Sequence, residues 1–418
     1  MSSARPDQAD RTLAADVVII GGGLVGLPLA IALGQAGLDV VVVDRENPAV
    51  AAADPFDGRG SAIAWGSAQV LRGLGLWQHL APHAAPILDI RVSDGESLLF
   101  LHYDHRDLGT EPLGYIIENR FTRRALYARL TELPNVRLVA PSSVRSLERT
   151  RSRVRAELED GTRVDASLAV ACDGRESPTR RAAGIRVMRW DYPQTGIVCS
   201  IRHERPHRGI AHERFLPAGP FAVLPLPDSE TGAHYSSIVW TERADLAPAM
   251  MRLNDNEFAA EIAVRFGDTL GAIEVAGGRW AYPLTLLQAE CYTDMRLALA
   301  GDAAHAIHPI AGQGLNLGLR DVAALAECVV DARRLGLDIG AADVLGRYER
   351  WRRFDTLTLM AVTDGLNRLF SNDIGPIRLM RDVGLAIVDR LPAVKRFFMR
   401  HAMGVVGDLP RLLRGEAL

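Results

Sequence analysis

Short apolar runs that end at a glycine or an acidic residue recur along the chain. They occupy residues 16–20, 38–43, 168–171 and 297–300, and each is followed by a loop that carries a glycine or an aspartate. Apart from Asp16 and Asp39 near their beginnings, these segments are apolar, and short apolar runs are typical of strands buried on both faces of a parallel sheet. Residues 27–36 continue the first unit as an apolar helix. The pattern therefore predicts β-α-β units and an α/β fold.

The segment 17–38 has 22 residues without a charge, which is long enough to resemble a membrane span. It contains three consecutive glycines and precedes a β-branched run, 40–43. Glycines in that position and strand-forming residues after it favour a buried β-α-β unit. We therefore interpret the segment as part of a globular core.

The pattern changes twice further along. Residues 185–289 are β-rich and broken by prolines and glycines, and the chain after about 345 has helical periodicity. The last apolar run of the first domain, 297–300, comes after the β-rich block, so that block is inserted. We predict a Rossmann-like dinucleotide-binding domain interrupted by a β-sheet substrate domain and followed by a C-terminal helical region. The predicted boundaries are 15–75, 116–182 and 290–345 for the first, 76–115 and 183–289 for the second, and 346–418 for the third.

The composition limits the class of protein and its partners but does not indicate a chemistry. The chain has 418 residues, 48% hydrophobic and 24% charged, with a net charge of −3, so it is globular and we expect no nucleic-acid partner. Four scattered cysteines lack a C-x-x-C pair, which suits a reducing compartment and argues against a metal site. Residues 1–15 lack the apolar core of an export signal. We therefore expect a cytoplasmic protein without a metal.

A dinucleotide-binding fingerprint follows the first strand. Gly21, Gly23 and Gly26 fit G-x-G-x-x-G between a predicted strand and a predicted helix, and the second strand ends at Asp44. Such glycines allow a tight turn and close approach to a pyrophosphate, while the acidic residue accepts from a ribose hydroxyl. Strand, glycines, helix, strand and aspartate occur in order, which predicts a dinucleotide site.

A second polar block follows the last apolar run. A helix beginning there would direct backbone N–H groups and its positive dipole end at an electron-rich group, and Asp302 would accept from hydroxyls of a polyol. A flavin offers both features, but an ordinary strand–loop–helix turn remains the alternative. His305 and His308 are interpreted as turn histidines satisfied by backbone groups. The block comprises Gly301, Asp302, Ala303, Ala304, His305, Pro309, Gly312, Gln313, Gly314, Asn316 and Asp321.

Other candidates are weaker when taken singly. Arg59 lies in a predicted loop over 53–66 and is either a phosphate ligand or a solvated arginine. The segment 116–130 is predicted to be a loop that leads into a helix, with Asn119 and Arg120 at the mouth of that helix. Asp173-Gly174 is a turn at the end of a buried strand. For the substrate cavity we name Phe221, Val223 and Leu224, with plain sheet core as the alternative.

The chain's tail is cationic and amphipathic. Residues 375–400 carry six basic and two acidic side chains, and 376–391 have apolar positions at helical spacing. Such a segment either lies on an anionic membrane surface or packs on its own domain. The sequence leaves both alternatives open.

Together these motifs resemble the flavoprotein monooxygenases of the para-hydroxybenzoate-hydroxylase fold, and among them the ubiquinone-biosynthesis hydroxylases. The resemblance covers nearly the whole chain. It rests on the Gly21–Gly26 fingerprint, Arg59 with Ser61-Ala62, Asp173-Gly174 with Ser177 and Arg180, and the block from Gly301 to Asp321. The segments 363–370, 402–404 and 407–410 point to the ubiquinone branch.

The resemblance implies an FAD-binding domain and a set of cofactor contacts. It places the three glycines at the FAD pyrophosphate, Asp44 at the adenosine ribose, and Asp302 at the ribityl or pyrophosphate region. It assigns Asp173 to both FAD and a transiently docked NAD(P)H. The remaining implied contacts are Arg59, Asn119 and Arg120 along the cofactor, and Pro309, Gly312, Gly314 and Asn316 around the isoalloxazine.

The resemblance also implies an activity. It predicts an FAD-dependent monooxygenase that uses O2 and NAD(P)H and hydroxylates a (poly)prenylated phenol in ubiquinone biosynthesis through a flavin C4a-hydroperoxide. An apolar substrate implies peripheral contact with the inner face of the cytoplasmic membrane through the tail. A soluble aromatic substrate, or a role as a flavin-binding subunit of a quinone-biosynthesis complex, are the alternatives. No catalytic base and no ring position can be identified from the sequence.

Overall fold

The computed structural model describes residues 11–52, 60–95, 100–307, 312–370 and 391–418. Its strands, in chain order, are β1 (Thr12–Ala14), β2 (Val17–Ile20), β3 (Val40–Val43), β4 (Gly60–Ala64), β5 (Ala84–Ile87), β6 (Asp89–Asp94), β7 (Phe100–Asp104), β8 (Gly114–Glu118), β9 (Val136–Val139), β10 (Val144–Arg149), β11 (Val154–Leu158), β12 (Arg163–Ala166), β13 (Leu168–Ala171), β14 (Val187–His203), β15 (Ile210–Leu216), β16 (Gly219–Pro225), β17 (His234–Arg243), β18 (Ile273–Ala289), β19 (Thr293–Asp294), β20 (Leu297–Leu299) and β21 (His305–Ala306).

The helices alternate with these strands in the first half of the chain and dominate its end. In chain order they are α1 (Gly26–Gln35), α2 (Pro48–Ala52), α3 (Trp65–Gly73), α4 (Trp77–Leu80), α5 (Asn119–Leu130), α6 (Pro178–Ala182), α7 (Ala247–Arg252), α8 (Asp255–Phe266), α9 (Gln313–Arg334), α10 (Ala342–Phe370) and α11 (Pro392–Ala402). Short 3₁₀ turns at Gly301–Ala303 and Arg411–Arg414 complete the described elements that matter below.

The first domain is built on a six-stranded sheet of order β19-β20-β13-β2-β3-β9. Its strands from β20 to β9 are parallel, so their carboxyl ends meet at one edge of the sheet. The strands β2, β3 and β13 are buried along their whole length, as the apolar runs predict. Helices α1 and α9 pack on this sheet and on each other. The α/β fold and the β-α-β interpretation of residues 17–38 are confirmed.

The second large sheet has eight strands in the order β21-β18-β14-β17-β16-β15-β6-β7. Strands β6 and β7 join strands that come about 100 residues later, through the parallel pair β6–β15. Strands β6 and β7 from the region 76–115 therefore join strands from 183–289 in one sheet, whereas β5 pairs with β8 in a separate three-stranded sheet with β4, and the predicted domain boundaries stay a prediction. One face of the eight-stranded sheet packs on α8 around Phe221, Trp240 and Phe258, and the other borders a large cavity.

Two local expectations are wrong. The predicted loop 53–66 contains strand β4, and the predicted loop before helix α5 contains strand β8. The two segments pair antiparallel with each other, so each supplies backbone partners that neither sequence reveals alone.

Helices α10 and α11 confirm a helical C-terminal region, whereas most of the predicted cationic helix, 376–390, lies outside the described residues. Within the described ranges, none of the helices combines the length and apolarity that a membrane crossing requires.

Candidate active site

The turn after β2 has the shape that only glycine permits. Gly21 has a φ of +104°, and a Cβ there would lie 2.3 Å from the carbonyl oxygen of Cys172. A Cβ on Gly26 would lie 1.9 Å from the carbonyl oxygen of Gly21. Gly23, by contrast, faces open space and lines the cavity. Two glycines thus close the turn onto the sheet, and the third leaves room for a ligand.

Asp44 closes the adjacent turn. Its carboxylate accepts hydrogen bonds from the backbone N–H of Gly22 and, at 2.6 Å, from that of Glu46. The acidic residue therefore lies beside the glycine turn, as the fingerprint requires. Its contact with a ribose stays a prediction.

The turn after β20 presents Asp302 to the same space. Gly301 adopts a φ of +60° and is buried, while Asp302 is exposed and lines the cavity. A buried carboxylate behind the turn, Asp321 on α9, accepts from the Gly301 N–H at 2.9 Å. It also lies 2.6 Å from Nε2 of His305 and accepts from Nε of Arg352 at 2.8 Å.

This cluster corrects the interpretation of His305. The histidine is 2% exposed and is paired with a carboxylate from the following helix rather than with the backbone. Burial alone would raise the pKa of Asp321, but the adjacent His305 and Arg352 hold it below its ordinary value. The aspartate is therefore an ionised anchor for the Asp302 turn, and His308 lies outside the described residues.

The amino end of α9 forms the next part of the cavity wall. Asn316 is 3% exposed; its Nδ2 donates to the carbonyl oxygens of Ala62 at 2.8 Å and Gly312 at 3.0 Å. Its Oδ1 accepts from the Ala64 N–H at 2.9 Å. Asn316 thus fastens β4 to the helix while bordering the cavity, and Gly312 and Gly314 line the cavity beside it.

The loop after β13 contributes Asp173. Its Oδ2 accepts from the Thr179 N–H at 3.0 Å, and its buried Oδ1 has no hydrogen-bond partner among the described residues. Gly174 and Arg175 line the cavity. Arg180, buried beneath this loop, donates to the carbonyl oxygen of Ala303 at 2.8 Å. It therefore holds the Asp173 loop against the Asp302 turn.

Other predicted contacts divide into three groups. Asn119 begins α5 and accepts from the Ser61 hydroxyl at 2.6 Å, and Ser61 itself lines the cavity. Arg120 pairs with Glu118 at 2.9 Å and stacks on Phe121, which favours a structural role. Arg59 and Pro309 lie outside the described residues.

The cavity connects these turns with the large sheet and has a volume of about 980 Å³. Leu224 lines it, as predicted. Phe221 and Val223 do not: both belong to the core on the opposite face of the sheet. Side chains alternate along a strand, so the three predicted residues divide between its two faces, and Ala222 lies with Leu224 at the cavity.

The sheet side of the cavity includes residues that sequence reasoning missed. Ile90, Val92, Leu101 and Tyr103 come from β6 and β7, and Glu213 from β15. The alternation of apolar and polar residues along β6 was visible in the sequence, but the pairing of β6 with a strand more than 100 residues away was not.

FAD fits the polar half of this cavity. Open space at Gly23 and Gly314 and the exposed carboxylate of Asp302 line this part of the cavity, and the unpartnered acceptor of Asp173 lies in the loop whose next residues, Gly174 and Arg175, also line it. Those groups offer close backbone approach to a pyrophosphate and acceptors for hydroxyls. The apolar half, facing the sheet, is left for a substrate.

Comparison with known proteins agrees with this reading. A family model described as FAD binding domain matches residues 14–337. The chain is 50% identical over 420 residues to ubiquinone hydroxylase UbiL of Rhodospirillum rubrum, covering 100% of this chain and 96% of that protein. It is 36% identical over 393 residues to 3-demethoxyubiquinol 3-hydroxylase of Escherichia coli, covering 93% and 98%.

Among solved structures, p-nitrophenol 4-monooxygenase PnpA from Pseudomonas putida superimposes with a TM-score of 0.78 at 22% identity, covering 95% of this chain and 99% of that one. At that identity the match supports the fold alone. The family model and the two relatives also show the family of the chain, because they cover most or all of it. The chain therefore belongs to the FAD-binding-domain family of flavoprotein monooxygenases and, within it, to the ubiquinone hydroxylases.

Proposed function

We propose that this FAD-dependent monooxygenase hydroxylates the aromatic ring of a prenylated phenol on the way to ubiquinone, using O2 and NAD(P)H. The observation that carries the proposal is the single cavity that joins the FAD-binding turns to an apolar sheet face. A phenol with an isoprenoid chain has one polar end and one apolar end, which matches this division. The 50% identity to a ubiquinone hydroxylase supports the same substrate class.

Gly21, Gly23, Gly26, Asp44, Asp173 and Asp302 would hold the cofactor. Bound FAD supplies the redox chemistry that takes electrons from NAD(P)H and activates O2. The protein positions the substrate ring and keeps water away: Ile90, Val92 and Leu101 present an apolar wall to it. Exclusion of water matters because water promotes release of peroxide instead of oxygen transfer.

Substrate entry from a membrane is the second part of the proposal. Helix α11 has apolar side chains at helical spacing on one exposed face: Val394 is 37%, Phe397 54% and Phe398 40% exposed. Arg396 and Arg400 are also exposed. Phe398 and Ala402 line the cavity, so this helix lies at the cavity's rim. Exposed aromatic and basic side chains together suit the surface of an anionic bilayer.

The test of the activity uses the purified holoprotein. It is mixed with NAD(P)H, ¹⁸O2 and phenols that carry no, a short or a longer isoprenoid chain, and the products are identified by mass spectrometry. We expect one labelled oxygen atom on the ring and a kcat/KM that rises with the apolar chain. A preference for the unprenylated phenol would favour the soluble-aromatic alternative. NAD(P)H oxidation with peroxide alone would favour a flavin-binding subunit.

A further inference from the structure

Among the described residues, Glu213 is the one acidic side chain that the large sheet contributes to the lining of the cavity, where most of its neighbours are apolar. Glu213 lies on β15 between Val92 of β6 and Ala222 of β16, and both of these neighbours also line the cavity. Ala211 and Phe215, two residues away on either side, face the same space. Strand alternation therefore directs the Glu213 side chain into the cavity.

The other charged groups near Glu213 lie elsewhere. His212 also borders the cavity, but its ring packs on the opposite face against Phe266, with centroids 5.1 Å apart. Arg214 donates to backbone carbonyls of Arg265 and Gly95. Arg91, which pairs with His212 across the strands, shares that face. Strand β16 carries no titratable side chain.

On the cavity side, Asp94 ends β6 and Tyr103 comes from β7 two strands away. Asp302 and Arg175 also line the cavity, on the walls formed by the FAD-binding turns. No hydrogen bond or ion pair with another described residue is found for the Glu213 carboxyl.

A carboxyl group in such surroundings has altered acidity. Burial among apolar groups disfavours the charged form and raises the pKa of Glu213 to about 7. A base is most effective when its pKa is close to the working pH, because it is then both available and basic enough to take a proton. The phenol of a tyrosine side chain has a pKa near 10. A phenolic substrate of similar acidity is largely protonated at neutral pH and needs such an acceptor.

We propose that Glu213 is the catalytic base that accepts the proton of the substrate's ring hydroxyl. This inference rests on the proposed function. The O–H bond breaks, the proton moves to a carboxylate oxygen of Glu213, and the electron pair stays on the phenolate oxygen, which makes the ring carbons more nucleophilic. One oxygen atom of O2 then replaces a ring hydrogen, the other leaves as water, and NAD(P)H supplies the two electrons. The proton on Glu213 returns to the product oxygen.

The geometry also explains how the ring would be oriented. With the apolar residues Val92 and Ala222 on either side, the Glu213 carboxyl is the polar group that a ring laid on this part of the sheet would meet. Its hydroxyl is thereby fixed at Glu213, and the isoprenoid chain lies along the apolar residues.

The first test compares wild type, Glu213→Gln and Glu242→Gln as holoproteins. Glutamine keeps the shape of the side chain but cannot accept the proton. We expect kcat for a short-chain prenylated phenol to fall about 100-fold or more in Glu213→Gln. The rise of the wild-type rate with pH through about 7 should disappear, while reduction of FAD by NAD(P)H continues. Glu213→Asp, which keeps a carboxyl, should recover part of kcat and the pH dependence.

Glu242 is the matched control. It is a buried glutamate of the same sheet, 4% exposed, but it is paired with Arg265 at 3.2 Å on the face away from the cavity. Glu242→Gln should lower the thermal midpoint and leave the pH profile unchanged. An unchanged kcat and pH profile in Glu213→Gln would overturn the assignment.

The second readout does not depend on turnover. A prenylated nitrophenol, whose ionised form has its own absorption band, is bound to the holoproteins in weakly buffered solution. In wild type we expect the ionised band without release of a proton to solvent, since Glu213 retains it. Glu213→Gln should bind the probe in its neutral form at the same pH, and an equal ionised band in both proteins would contradict the inference. If wild type ionises the probe but hydroxylates no phenol, the proposed function fails and the base assignment stands.

Discussion

Asp321 shows how one buried residue supports a site that it does not line. It is fully buried and joins three segments: the turn that carries Asp302, strand β21 through His305, and helix α10 through Arg352. A buried carboxylate persists because its partners are cationic or hydrogen-bond donors. Arg352 also pairs with Asp355, so the charges of the cluster offset one another. The position of Asp302 thus depends on a residue that faces away from the cavity.

Replacing Asp321 by asparagine is therefore expected to affect both stability and cofactor content. The change leaves the buried Arg352 without one of its counter-charges, a loss that typically costs about 3–5 kcal/mol of unfolding free energy. The measurement is urea denaturation of the apoprotein together with the FAD content of the purified protein. Asp245→Asn, which removes a carboxylate from an exposed pair with Arg243, is the control and should change neither.

The same variant carries a pH signature. Because the pKa of Asp321 is lowered in the folded state, its contribution is present above the unfolded pKa and is lost as the pH falls through the folded value. Wild type should therefore lose more stability than Asp321→Asn between neutral and acidic pH. Parallel acid curves for the two proteins would show that Asp321 is not an ionised anchor.

At the scale of elements, the parts that follow local rules could be predicted. The buried strands β2, β3, β13 and β20 were visible as apolar runs, and the glycine turn was visible because its glycines, helix and aspartate occur in fixed order. Pairings between distant segments could not be predicted. They decide that β4 is a strand, that Phe221 faces the core while Leu224 faces the cavity, and that Glu213 lines the same cavity as the glycine turn.

Helix α9 allows a test that separates ligand space from protein packing. Apart from its own helix backbone and chain neighbours, no atom of the described residues lies within 4 Å of a Cβ added to Gly314, although the residue lines the cavity. Gly314→Ala should therefore leave the apoprotein as stable as wild type, or up to about 1 kcal/mol more stable, as alanine is in helices. The added methyl group would occupy space assigned to FAD. Overpacking of about 1–3 kcal/mol predicts a dissociation constant that is about fivefold higher or more.

Gly365 on α10 provides the matched control for that variant. A Cβ there also meets no atom within 4 Å among the described parts of the chain, and the residue is exposed and is not one of the cavity-lining residues. Gly365→Ala should show a similar change in stability with unchanged FAD affinity, measured by flavin fluorescence during reconstitution. Equal FAD affinities for the two variants would remove Gly314 from the cofactor site.

At the scale of the whole molecule, the cavity lies between two sheets that contribute different parts of its wall. The parallel sheet brings the turns of Gly23, Asp173 and Asp302 to one edge, and the eight-stranded sheet covers them with an apolar wall. Helix α11 belongs to neither sheet. Its buried Met399 and the nearby Met403 pack in a small core with Ile87, Leu113 and Leu226, which ties the helix to the cavity rim.

That arrangement predicts how the molecule approaches a bilayer. If the exposed face of α11 docks on an anionic membrane, Phe397→Glu should weaken binding to vesicles that contain phosphatidylglycerol. Burial of a phenylalanine side chain is worth about 1.5–3 kcal/mol, so the partition coefficient should fall about tenfold or more. Val264→Glu is the control: Val264 is 81% exposed but lies on α8, which covers the other face of the large sheet. Vesicle flotation measures both variants, and added salt should weaken wild-type binding by screening Arg396 and Arg400. Equal losses in the two variants, or no binding of wild type, would contradict docking through α11.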